Sequence, residues 1–91
     1  MSLHLVFSEQ GLHSCRTRRH ADDIVVMLDD GVYACPQWHQ ARLPSDKARL
    51  FSADAEARGI SDAQRGAIET VDYDGLVALT EVHSPIVSWK D

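Results

Sequence analysis

Long apolar runs, paired cysteines and basic residues are all in short supply in this 91-residue chain. No apolar stretch approaches the roughly 18 residues that a membrane-spanning helix needs. The cysteines, Cys15 and Cys35, are too few for the disulfide framework of small secreted domains. The opening Met1-Ser2-Leu3-His4-Leu5-Val6-Phe7 has no basic segment ahead of its apolar residues, and Glu9 and Gln10 end the run too early for a secretion signal. A cytoplasmic protein with reduced thiols and no membrane contact is expected. Nine Lys+Arg stand against 14 Asp+Glu, a net charge of −5, which argues against direct contact with nucleic acid because a phosphate backbone demands a basic face. Catalytic signatures are missing as well. There is no Gly-x-Gly-x-x-Gly, phosphate loop, Gly-x-Ser-x-Gly elbow or His-Glu-x-x-His. These absences argue against an independent nucleotide-dependent enzyme or hydrolase, and no cofactor is expected.

What is present reads as one globular domain spanning residues 1–91. A hydrophobic share of 44% with 25% charged residues is ordinary for a folded chain and argues against disorder. A domain this small buries only about two-thirds of its unfolded surface, so its own core is limited. The firmest element is Ile24-Val25-Val26-Met27-Leu28, an unbroken apolar run ended by Asp29-Asp30-Gly31. Such a run fits a strand covered on both faces, as in parallel sheets. Leu3 to Phe7, Ala48 to Ser52, Ala67 to Val71 and Ile86 to Trp89 are further strand candidates.

Helices are expected between them. Glu9 to Ala21 makes a weakly amphipathic crossover, its propensity lowered by Gly11. Cys35 can open a short helix with Pro36 in its first turn, and Gln40 to Asp46 reads as loop. Ala53 to Arg58 stops at Gly59, and Ser61-Asp62-Ala63-Gln64 fits a capping box. Asp72 or Asp74 can cap a helix through Glu81 with Leu76, Leu79 and Val82 on one stripe. Strands alternating with helices give an α/β sandwich, a mostly parallel sheet of four or five strands flanked by short helices. Layers this thin leave apolar surface for a partner to cover.

The candidate chemistry centres on thiols. Cys15 lies beside Arg16, Arg18, Arg19 and His20, and positive neighbours favour the thiolate that attacks a disulfide or persulfide sulfur. The alternative is a small buried residue pairing with Leu12. Cys35 follows the Asp29-Asp30-Gly31 turn, where a helix start can activate a thiol, although cysteine's preference for the interior favours a buried role. A metal held by Cys35, His39 and the distant Cys15 has no matching ligand spacing, so no metal is expected. The run Arg16-Thr17-Arg18-Arg19 is balanced by Asp22 and Asp23 and fits a solvated helix face or an acidic protein partner. Trp38 and Trp89 are the candidate anchors of a subunit contact, with a plain core role as the alternative for either.

Several segments together resemble the TusB/DsrH family. They are Leu3-His4, the turn Leu28-Asp29-Asp30-Gly31-Val32-Tyr33-Ala34, the stop Ala57-Arg58-Gly59, and the tail from Val71-Asp72-Tyr73-Asp74-Gly75-Leu76-Val77 to Ser88-Trp89. The resemblance spans nearly the whole chain in order and spacing. It implies a DsrEFH-like fold and a subunit of a three-component sulfurtransferase complex, a dimer of heterotrimers with TusC/DsrF-like and TusD/DsrE-like paralogues. Such complexes pass persulfide sulfur between cysteines, toward the 2-thiouridine of wobble-position tRNA in the Tus version and in sulfur oxidation in the Dsr version. In such complexes the best-supported sulfur-carrying cysteine lies on the DsrE/TusD-type paralogue, so the resemblance implies an accessory subunit.

Cys15 falls where DsrH-type members have a cysteine, which raises it as a secondary sulfur acceptor, and Cys35 falls where the family commonly has Ala. The chain departs from the pattern at Gln37-Trp38-His39-Gln40 and at the Arg16–Arg19 run. The leading expectation is an accessory relay subunit supporting tRNA 2-thiolation. Its rivals are a DsrH-type subunit in sulfur oxidation, a direct sulfurtransferase using Cys15, and a plain interaction module without a thiol role.

Overall fold

The computed structural model describes residues 1–90. Its sheet is built from β1 (Leu3–Val6), β2 (Ile24–Met27), β3 (Ala48–Phe51), β4 (Glu69–Val71) and β5 (Ile86–Trp89), in the order β4-β3-β2-β1-β5. All the pairings are parallel, so the α/β class is as the alternation of strands and helices implies, with five strands. The continuous apolar run around β2 forms the middle strand, and its residues Ile24 to Met27 are all buried. Between the strands lie α1 (Glu9–Arg16), α2 (Cys35–Gln40), α3 (Ser52–Ala57), α4 (Asp62–Arg65) and α5 (Tyr73–Val82).

Topology decides which face each helix covers. β1 to β4 are laid side by side in one direction, and right-handed crossovers then place α1 to α4 on one face. The step from β4 to β5 returns across the whole sheet, so α5 lies alone on the other. On the first face Val6, Val25, Met27, Ala48 and Leu50 meet Leu12, Cys15, Trp38 and Ala55 in one buried cluster. On the second, Leu3, Ile24 and Val26 are buried beneath the half-buried Leu76 and Leu79 of α5. The register pairs Leu3 with both Ile24 and Ile86, which keeps the alternation in phase across three strands.

Two glycines are dictated by close approach rather than by turn geometry. A Cβ on Gly11 would lie 2.6 Å from the Trp89 carbonyl oxygen, so α1 rests directly on the backbone of β5. A Cβ on Gly31 would fall on the carbonyl of Val6, which seats the 3-10 segment Asp29–Ala34 against the end of β1. Local chemistry sets the other boundaries. Ser8 caps α1 through Gly11 N, Asp72 caps α5 through Gly75 N, and Ser61 with Gln64 forms the expected capping box on α4.

Three expected boundaries shift. The first helix ends at Arg16 rather than Ala21, because the segment beyond it is drawn into hydrogen bonds around Asp23. The stretch read as loop from Gln40 to Asp46 leads into a single 3-10 turn, Ser45–Lys47. The fourth strand starts at Glu69, after Ile68 has been buried in the core.

Candidate functional site

Cys15 projects from α1 into the core and is fully buried. Burial pushes its thiol up to about 12, with Arg19 pulling down against that and Asp23 adding to it. Arg16 and Arg18 are exposed and only Arg19 comes close enough to matter, so the basic run does not generate a thiolate here. At neutral pH this conformation holds Cys15 as a neutral, covered thiol.

Cys35 is also fully buried, at the start of α2. Burial raises its thiol, partly offset by Arg65. Its Sγ–H donates to the carbonyl of Gln64 at 3.2 Å, and His39 Nε2, one turn further along α2, donates to the carbonyl of Arg65 at 3.0 Å. Because Nε2 is committed as a donor, His39 is not a base for Cys35, although the two atoms are 4.0 Å apart. Together the two side chains satisfy carbonyls at the end of α4. Among the described residues no three His, Cys, Asp or Glu side chains converge on a metal position.

The tryptophans have different surroundings. Trp38 is fully buried, donates from Nε1 to the Pro44 carbonyl at 3.1 Å and carries the Arg19 guanidinium 5.4 Å from its ring centroid. It offers no indole surface to a partner, so its large apolar area serves the core. Trp89 sits half-buried at the end of edge strand β5 and donates from Nε1 to His4 Nδ1 at 3.0 Å. The rings of His4 and Trp89 are stacked, centroids 6.1 Å apart.

Behind them His4 Nε2 donates to Asp23 Oδ2 at 2.9 Å. Burial would push the Asp23 carboxyl up, but donors from the His20 backbone, the His4 ring and the Ser2 backbone outweigh it and hold the group below the ordinary carboxylate range. This buried arrangement joins the start of β1, the approach to β2 and the end of β5. Residue patterns alone did not single it out, since nothing in a sequence marks which buried histidine will meet which aspartate. The available signal was indirect: an isolated His in an apolar strand requires a polar partner.

Two of the segments that carried the family resemblance meet at the opposite end of the sheet. Arg58, in the Ala57-Arg58-Gly59 stop, pairs with Asp29, with Asp30 at 3.0 Å and with Asp54 at 3.6 Å. Asp29 takes a left-handed conformation with φ 53°, and its backbone N–H donates to Asp54 Oδ2 at 2.6 Å. The arrangement straps the turn after β2 to α3. It is partly solvent-exposed, with one guanidinium set among three carboxylates, and it orders the loops it joins. A small cavity of about 230 Å³ lies between Ser52, Ala55, Ile60, Arg65 and Thr70. It is below the usual size of a small-molecule site, and the charged Arg65 at its wall is already paired with Asp62 at 3.3 Å.

The remaining surface of note is α5. None of its residues is buried, and Tyr73 and Val82 are 69% and 76% exposed, with Ile86 of the neighbouring edge strand at 47%. No helix among the described residues is long and apolar enough to cross a membrane. No curated protein matches the chain. The family described as DsrH like protein matches residues 6–86, a span that holds the buried thiols, the strapped turn, α5 and the first residue of β5. With that coverage the chain belongs to the DsrH-like family, whose TusB-like members are sulfur-relay subunits that work in complex with other subunits of the relay.

Proposed function

We propose that this chain is an accessory subunit of a persulfide-relay complex that supports 2-thiouridine formation at the wobble position of tRNA. Its partners in that reading are TusC/DsrF-like and TusD/DsrE-like paralogues, with sulfur carried on the latter. The observation that carries the accessory role is the state of the thiols: Cys15 and Cys35 are both fully buried and both raised by burial. A sulfur carrier must present a thiolate to its donor and acceptor, and this fold presents none. The exposed apolar side of α5 supports a subunit role, because paralogues seated there would cover Val82 and Ile86.

The deciding experiment is the 2-thiouridine content of bulk tRNA from a strain lacking this gene. Loss of the thiolated nucleoside, restored by the wild-type gene and by a Cys15→Ser variant alike, is the expected result. Loss restored only by the wild type would make Cys15 an obligatory carrier. Unchanged 2-thiouridine would instead favour a DsrH-type subunit in sulfur oxidation. That second reading draws on one observation, a cysteine at position 15 where DsrH-type members have one.

A further inference from the structure

We propose that the His4–Trp89 hydrogen bond is a proton-operated latch: neutral His4 holds the Trp89 indole at the end of β5, and protonation of His4 Nδ1 releases it. The argument rests on donors and acceptors, and it stands apart from the sulfur-relay reading. His4 and Asp23 are 4% and 3% exposed, and both ring nitrogens of His4 are engaged. An indole N–H can only donate. His4 Nδ1 is therefore the acceptor at 3.0 Å from Trp89 Nε1, and the ring is the neutral tautomer with its proton on Nε2, given to Asp23. A proton taken from solvent onto Nδ1 turns that nitrogen into a donor facing a donor. The bond to Trp89 is then lost, while the bond to the Asp23 carboxylate becomes an ion pair.

Asp23 stays an anion, because it also accepts the backbone N–H of Ser2 and of His20, each at 2.9 Å. Arg19, from the segment after α1, donates to the Asp23 carbonyl at 2.9 Å. Cys15, which comes from α1 and lies close to Arg19 and Asp23, is neutral throughout the acid range. β5 brings no charge of its own to the ring, since Lys90 is held 5.5 Å over Phe7. The backbone bond from Phe7 N to the Trp89 carbonyl, 3.0 Å, does not depend on the proton, so the indole is freed while the strand keeps its register.

The test is nuclear magnetic resonance of the two indole N–H groups in the full chain between about pH 8 and pH 4, the span over which imidazoles titrate. Trp38 is an internal control, because its N–H donates to a backbone carbonyl that does not titrate. The expected result is that solvent exchange of the Trp89 indole, relative to that of Trp38, rises at least about tenfold on acidification as its local protection is lost. The change should share its midpoint with the ring-nitrogen shifts of His4. In His4→Asn, whose side-chain oxygen accepts near the Nδ1 position without titrating, the ratio should be flat with pH. A Trp89 signal that never departs from Trp38, a midpoint different from that of His4, or both indoles opening together would each overturn the proposal. The wild-type measurement decides the matter even where His4→Asn does not fold.

Discussion

On one face of the sheet, α1, α2 and α3 bury Leu12, Cys15, Trp38 and Ala55 almost completely; on the other, α5 crosses Leu3, Ile24 and Val26 without burying any residue of its own. The two faces draw on strands of the same apolar quality, so the difference lies in coverage. Three crossovers share the first face and one serves the second, a direct result of the strand order β4-β3-β2-β1-β5. An apolar helix with an unfinished outer side is poorly explained by the needs of the isolated chain. It is well explained by a neighbouring subunit, which is what membership of a relay complex supplies.

The comparison can be broken most severely at the closed face. Gly31→Ala drives a Cβ into the backbone carbonyl of Val6, which has no side-chain freedom to yield. A loss of at least about 3 kcal/mol is expected, seen as a chain that fails to fold or melts far below wild type. Asp23→Ala removes the acceptor for His4, Ser2 N and His20 N in a buried site and should cost about 3 kcal/mol in chemical denaturation.

The same residue sets an acid dependence. Its carboxyl is lowered on folding, so its contribution is fully present above the unfolded value of about 3.9 and is lost as pH falls below it. Asp23→Asn should flatten that part of the stability profile, and an unaltered acid limb would remove Asp23 from the account.

Leu50→Ala and Leu79→Ala sharpen the contrast between faces. The first empties a fully buried site and should cost about 3 kcal/mol. The second trims a half-buried side chain on α5 and should cost about 1 kcal/mol in the isolated chain. If α5 is the docking surface, that second penalty grows when partner subunits are present; equal penalties with and without them would place docking elsewhere. Smallest of all, Val82→Ser should leave the melting temperature of the isolated chain nearly unchanged, since the side chain is already 76% exposed. It should still weaken capture of the partners.

The thiols give an independent check. With Cys15 raised from 9 to about 12, its thiolate is roughly a thousandfold scarcer than in the unfolded chain. Alkylation at pH 8 should therefore be slow until denaturant is added. Rapid alkylation of Cys15 in the native chain would return it to the list of sulfur acceptors.

Much of the fold was legible because the strong signals are local. The unbroken run Ile24 to Leu28, the Ser61–Gln64 capping box, Pro36 in the first turn of a helix and the Asp72 cap all act within a few residues, and each gave an element where the structure has one. The first helix was harder to read. Gly11 looks like a helix weakness in sequence, yet it is the point where α1 touches the backbone of β5, a contact between parts of the chain that sequence does not connect.

The site was less legible for the same reason. Arginines beside Cys15 suggest activation, but only Arg19 turns inward, and burial outweighs it. Trp38 reads equally well as an anchor or as core, and the choice depends on Arg19 and Pro44 closing over it. The pairing of His4 with Trp89 spans 85 positions and exists only because β5 returns to lie beside β1.

That return has a kinetic side. Joining β1 to β5 closes a loop of nearly the whole chain, the most expensive closure available to it in chain entropy. β1 to β4 can assemble through short crossovers, whereas the last strand is added only after the ends meet, so contact order is concentrated in one step. The β1–β5 seam is thus expected to form late and open early. The amides of Leu3, in β1, and of Phe7, just beyond it, which donate toward β5 and its approach, should then exchange with solvent before those of β2, through a partial opening that leaves the rest of the sheet intact.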